Sequence, residues 1–162
     1  MGAWFNSVLS LELSAVAASS FNPTPEINGH RITQLIRELN SENLSQARSA
    51  ARQLGVVGKP AHRAIAALLI HASSTCACLR AEAVAAIGRI GEDANRCVPV
   101  LGKALGDPDT QVRRYAVAAL GEYAFENTAP HLVRALRDED SVVREFATDI
   151  LGGQFSPVTD WL

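Results

Sequence analysis

The sequence predicts an all-α fold, a right-handed α-solenoid of about four helical hairpins behind an N-terminal capping segment, and three observations predict it. A phrase recurs at a nearly fixed interval: Leu79-Arg80-x-x-Ala83-x-x-x-Ile87-Gly88, Val112-Arg113-x-x-Ala116-x-x-x-Leu120-Gly121 and Val143-Arg144-x-x-Ala147-x-x-x-Leu151-Gly152, with arginines 33 and then 31 residues apart. A period in this range marks stacked units that share one continuous core. Apolar residues recur with the helical period in both arms of each unit. The composition, 48% hydrophobic and 20% charged over 162 residues, suits one helix-rich domain. An extended surface rather than a pocket is the expected recognition element.

The elements follow in chain order. Residues 1–29 contain the apolar stretch Trp4, Phe5, Val8, Leu9, Leu11, Leu13 and Val16, broken by Pro23 and Pro25, and are read as a cap on the first hairpin or as a docking or self-association segment. Hairpins are expected at 30–54, 60–90, 95–123 and 128–151, making a repeat domain of 30–152. The leading helices carry Leu35, Leu68, Leu101 and Leu132 in one slot, and Leu39, Ala72, Leu105 and Leu136 four residues on, which predicts one buried stripe. Ser41, Ser74, Asp107 and Asp138 open the turns as acceptors for freed backbone N–H groups. Pro60, Pro99 and Pro130 are expected in or before the first turns of leading helices. In the trailing helices Ala51, Ala83, Ala116 and Ala147 allow close approach, and Gly55, Gly88, Gly121 and Gly152 are expected as left-handed caps. The first unit, with Gln46 and Ala47 in the Val-Arg slots, reads as an atypical end repeat. The tail, 153–162, holds Trp161 as a fold-back residue or a peptide anchor.

Charge and cysteine content narrow the function. The net charge is −2, but residues 30–106 sum to +5 and residues 107–162 to −5, so a solenoid turns sequence order into a charge gradient. Three cysteines, an odd number without framework spacing, fit a reducing, cytoplasmic setting. No Lys or Arg precedes Arg31, which argues against a signal peptide, and no apolar run is long enough to span a bilayer. His71, Cys76 and Cys78 form a thin set of soft metal ligands, with filler cysteines as the ordinary reading. His62 and His131, near leading-helix starts, are read as solvated.

The chain resembles a known family at this point. Leu105-Gly106-Asp107-Pro108-Asp109-Thr110-Gln111-Val112-Arg113-Arg114-Tyr115-Ala116 and Leu136-Arg137-Asp138 through Arg144 and Ala147 fit the pattern Leu-x-Asp-x-x-x-x-Val-Arg-x-x-Ala-x-x-x-Leu-Gly. That is the pattern of the short HEAT-like repeats typified by phycobilisome lyase subunits, and the similarity covers residues 30–152. It implies a HEAT-like solenoid in which Arg80, Asp107, Arg113, Asp138 and Arg144 form a structural ladder between repeats, and in which trailing helices line a concave face. Such repeats serve scaffolds, chaperones, bilin lyases, DNA glycosylases and a hydroxylase, so the resemblance fixes the fold and not the activity. The di-iron hydroxylase branch needs His-Glu dipeptides, whereas His30, His62, His71 and His131 precede Arg, Arg, Ala and Leu.

Steps of four along the trailing helices give rows that run from Arg48 and Arg52, through Arg89 and Arg114, to Glu122, Glu145 and Asp149. The adjacent slot holds Tyr115 and Phe146, either anchors on that face or fillers between hairpins. The expected function is non-enzymatic: a protein-binding scaffold or assembly chaperone, without cofactor, that orients a protein partner by its charge gradient. The basic row ends in acids and the total charge is near zero, which argues against nucleic acid. The alternative, from the enzyme class, is a phycobilisome-associated bilin lyase subunit, or a chaperone or degradation factor for phycobiliproteins. It would hold a linear tetrapyrrole by its propionates on Arg48, Arg52 or Arg89.

Overall fold

The computed structural model describes residues 29–154. Among them the order is α1 (Gly29–Leu39), α2 (Leu44–Val57), a 3-10 segment (Lys59–Ala64), α3 (Ile65–His71), α4 (Ala77–Ile90), α5 (Ala94–Ala104), α6 (Thr110–Leu120), α7 (Phe125–Ala135) and α8 (Ser141–Gln154), with no strand. These are four hairpins in an α-solenoid, as the period predicts. The readings placed on residues 1–28 and 155–162 lie outside the described residues.

Each turn is made by its polar opener in the same way. Ser41 Oγ accepts from Asn43 N–H at 3.2 Å, Ser74 Oγ from Cys76 N–H at 3.3 Å, Asp107 Oδ1 from Asp109 N–H at 2.9 Å and Asp138 Oδ1 from Asp140 N–H at 2.9 Å. The residue so positioned becomes the N-cap. Asn43 accepts from Ser45 and Gln46 N–H, and Asp109 from Gln111 and Val112 N–H, each cap stabilising its helix by about 1 kcal/mol. In the second hairpin Cys76 takes this place without a capping side-chain bond.

The trailing helices α2, α4 and α6 stack most extensively on one another, and one core cluster runs through all four hairpins. The middle helix α4 is the extreme case: everything from Ala81 to Gly88 is buried, Glu82 included. Leu35, Leu68, Leu101 and Leu132 are buried, as are Leu39, Ala72 and Leu105. Leu136 departs from the expected stripe, because among the described residues no further hairpin lies over it; it is 37% exposed against 5% for Leu105.

Three local expectations are corrected. Gly55, Gly88 and Gly152 lie inside helices, and Gly121 ends α6 at a right-handed φ of −65°. The left-handed glycines among the described residues are Gly58 and Gly91, three residues after Gly55 and Gly88. What Gly55 serves is approach: a Cβ there would stand 3.1 Å from Ala86 Cα, and at Gly121 one would meet Ile150 Cδ1 at 3.0 Å. Pro99 and Pro130 are each the sixth residue of α5 and α7 and so sit in second turns, α5 beginning one residue and α7 three residues before the expected start; Pro60 does lie in a first turn. His131 is half-buried rather than solvated, and its ring lies where a Cβ on Gly102 would be, at 2.4 Å.

Candidate partner-binding face

The repeated arginine is the fourth residue of each trailing helix, so its fork reaches two turns at once. Arg80 Nε and Nη2 donate to both oxygens of Asp107 at 2.7 Å, while Nη1 donates to Ser74 O and Thr75 O in its own turn. Arg113 repeats this with Asp138 through Nε and Nη2, with Asp107 O through Nη1, and adds Glu139 at 2.8 Å. Arg144 donates through Nη1 to Asp138 O and Glu139 O. Bidentate, charge-assisted pairs of this kind fix geometry as well as energy, so each rung sets the spacing of successive turns. Burial pushes the Asp107 carboxyl up, but the Arg80 fork and the Asp109 N–H together outweigh it and hold it low.

The arginines expected to meet a partner are mostly engaged within the chain. Arg48 and Arg52 both donate to Glu82 Oε1, a buried carboxylate one helix away. Arg114 forms a bidentate pair with Asp140 at 2.8 and 3.0 Å, and its guanidinium holds the Asp140 carboxyl down at about 2. Arg89 is half-buried, and its stem lies against Gly55; burial lowers its pKa. The basic half of the expected gradient therefore serves the packing of trailing helices.

The acidic half is different. Glu145 and Asp149 are exposed and have no ion-pair partner among the described residues. Glu122 is half-buried, and desolvation raises its pKa. Tyr115 and Phe146 combine the two readings left open by sequence: each is half-buried, with part of its ring packed on the core and part reaching solvent. The face lined by trailing helices thus offers aromatic surface beside uncompensated acids in its C-terminal half. A shallow depression of about 260 Å³ between Ser45, Arg48, Ser49 and Arg52 marks the N-terminal half.

The thin metal set is not assembled. His71 Nε2 bonds to Asn40 Oδ1 at 3.1 Å, Cys97 is buried, and no three His, Cys, Asp or Glu groups converge among the described residues. Cys76 and Cys78 face each other as thiols, and their mutual hydrogen bond lowers the pKa of Cys76. No described helix is long and apolar enough to cross a membrane.

Three contributors escape sequence reasoning. Glu82 is the acid that pairs with the arginine row; a lone carboxylate in an alanine-rich buried helix is its only signal. Asp140 carries the N-cap offset of Asn43 and Asp109 and was legible as a cap, though not as an acceptor for Arg114. Tyr123 is buried, and its hydroxyl donates to Ile87 O at 3.2 Å and Glu92 O at 3.3 Å, tying the end of α4 to the third hairpin. Burial pushes its pKa up.

Comparison with known proteins agrees with this architecture. Residues 98–159 match the model for HEAT repeats, and residues 79–107 match that for the PBS lyase HEAT-like repeat. No curated protein sequence matches the chain. Similar solved structures include a designed armadillo repeat protein in complex with the peptide (KR)4, with TM-score 0.61 and 21% identity over 75% of this chain and 63% of that one. Human deoxyhypusine hydroxylase in complex with glycerol gives TM-score 0.62 and 24% identity over 90% and 51%. The complex of CpcE and CpcF of phycocyanin lyase from Nostoc sp. PCC7120 gives 0.52 and 21% over 82% and 69%. At these identities the likeness is one of fold, and the chain spans about three fifths of the length of the engineered repeat proteins it matches. The repeated phrase, the four stacked hairpins and both family matches show HEAT-like repeats in this chain.

Proposed function

We propose that the chain is a non-enzymatic scaffold or assembly chaperone that binds a protein partner, without cofactor, on the face lined by its trailing helices. The observation that carries this reading is the contrast along that face: Arg48, Arg52 and Arg114 are closed by internal carboxylates, whereas Glu145 and Asp149 stay open beside Tyr115 and Phe146. The partner segment is therefore basic, with apolar side chains that fit between the two rings. The (KR)4 peptide bound by a designed armadillo neighbour is consistent with a basic ligand on a solenoid of this kind. Three free thiols support a reducing, cytoplasmic setting.

The match to the PBS lyase HEAT-like repeat supports a second reading, a bilin lyase subunit or phycobiliprotein chaperone. Its weakness is chemical, because two of the arginines it would offer to tetrapyrrole propionates are already bonded to Glu82. Capture from native extract separates the two. Wild type and a Glu145→Lys, Asp149→Lys variant are compared for bound protein and for visible absorbance. The expected result is a colourless, stoichiometric protein lost in the variant. A coloured eluate, or capture unchanged in a folded variant, would overturn the scaffold reading.

A further inference from the structure

The Cys76-Ala77-Cys78 run takes no part in the partner-binding face, yet it holds a fixed place in the repeat. In the first, third and fourth hairpins the residue before the trailing helix is Asn43, Asp109 or Asp140, held by its N–H on the turn opener two residues back. Its side-chain oxygen accepts N–H groups of the helical turn that follows. Cys76 has the same register: its N–H donates to Ser74 Oγ at 3.3 Å, and its carbonyl accepts from Leu79 and Arg80 N–H. A sulfur therefore stands where the other three hairpins place an oxygen, and α4 begins without a capping side-chain bond. A neutral thiol is a weak acceptor, whereas a thiolate here is favoured by the same N–H groups and helix dipole that favour an aspartate.

Cys76 does not stand alone. Cys78, the second residue of α4, is exposed, and its side chain shares a hydrogen bond with that of Cys76. That bond lowers the pKa of Cys76 and raises that of Cys78, with Arg80 adding positive charge near the first and Arg48 near the second. Cys97 is buried, and burial pushes its thiol up. We propose that Cys76 and Cys78 are a reactive dithiol that exchanges with low-molecular-weight disulfides and closes into an intrachain Cys76–Cys78 disulfide. The Cys76 thiol gives up its proton, and its sulfur attacks one sulfur of the disulfide RSSR, forming Cys76–S–SR and releasing RS⁻, which takes up a proton. The Cys78 sulfur then loses its proton and attacks Cys76 Sγ, and the second RS⁻ leaves and is protonated. The chain gives up two electrons and two protons, and RSSR leaves as two RSH. An exposed bond within one turn belongs with labile, regulatory disulfides rather than structural ones, as a reducing setting requires.

The test uses the full chain, incubated at neutral pH with oxidised glutathione, quenched by alkylating free thiols and read by peptide mass spectrometry. The expected product links Cys76 to Cys78 and leaves Cys97 reduced. Cys78→Ser should stop at a mixed disulfide on Cys76, formed roughly fivefold faster than Cys76→Ser forms one on Cys78. In urea, where the cap register is lost, the two single variants should react at about the same rate. A Cys76–Cys78 bond together with that folded-state ratio supports the proposal. It is overturned by a bond through Cys97 or between chains, by the absence of any disulfide, by equal or reversed rates in the folded single variants, or by a ratio that persists in urea.

Discussion

In α2 the basic row of Arg48 and Arg52 faces another trailing helix and closes on Glu82, whereas in α8 the acidic row of Glu145 and Asp149 is exposed and has no ion-pair partner among the described residues. The two rows occupy the same register, the fifth and ninth residues of their helices. Their difference comes from position in the stack: the row of the first hairpin has a following trailing helix that supplies counter-charge, and the row of the fourth has none among the described residues. A solenoid's recognition chemistry is therefore read from the rows that packing leaves uncompensated, and the summed charge of each half misleads.

The largest expected effect tests the ladder across this same divide. Arg113→Ala removes a buried guanidinium and leaves the Asp138 carboxylate and the Asp107 carbonyl without their donor, so urea unfolding should show a loss of about 3–5 kcal/mol. Arg144→Ala removes two bonds at a half-exposed site and should lose about 1 kcal/mol or less. Equal losses would mean that the inner rung holds no more than the outer one.

The glycines sharpen the comparison with effects of opposite sign. Gly55→Ala drives a methyl onto the Ala86 backbone at 3.1 Å and should destabilise by about 1–3 kcal/mol. Gly152→Ala meets nothing and gains helix propensity, so thermal unfolding should rise slightly, by at most about 1 kcal/mol of stability. A destabilised Gly152→Ala chain would show that the outer face of α8 is covered.

The smallest effect is a pH dependence. Arg114 holds the folded-state carboxyl of Asp140 at about 2, below its ordinary 3.8. Its contribution is thus complete above the unfolded value and is lost as pH falls from there towards 2. Asp140→Asn should flatten that part of the acid limb in a stability-against-pH series. Parallel acid limbs for wild type and Asp140→Asn would remove the pair from the account.

Much of the fold was legible because a repeat states its packing several times over. The four turn openers and the four leading-helix leucines follow from spacing that a single hairpin would not have made visible, and the Arg-Asp ladder from the resemblance to HEAT-like repeats that this spacing carries. The glycine assignment failed for a local reason: sequence shows where a side chain is missing, but a left-handed φ and a close neighbour both call for that absence. The rows read along the trailing helices were incomplete as surfaces, since Glu82 lies on the neighbouring helix and its reach across to Arg48 and Arg52 depends on how α4 packs on α2.

The sequence by itself determined the architecture and the order of hairpins, because periodic burial is a one-dimensional fact; the inter-repeat rungs were implied by the resemblance to HEAT-like repeats. Tertiary structure alone decided which charges remain for a partner. Burial and pairing are set by what lies one helix away, and that distance in space has no fixed counterpart along the chain: Arg48 reaches a carboxylate 34 residues on, while Arg144, in the slot where Arg80 and Arg113 hold the next turn, reaches only the carbonyls of its own.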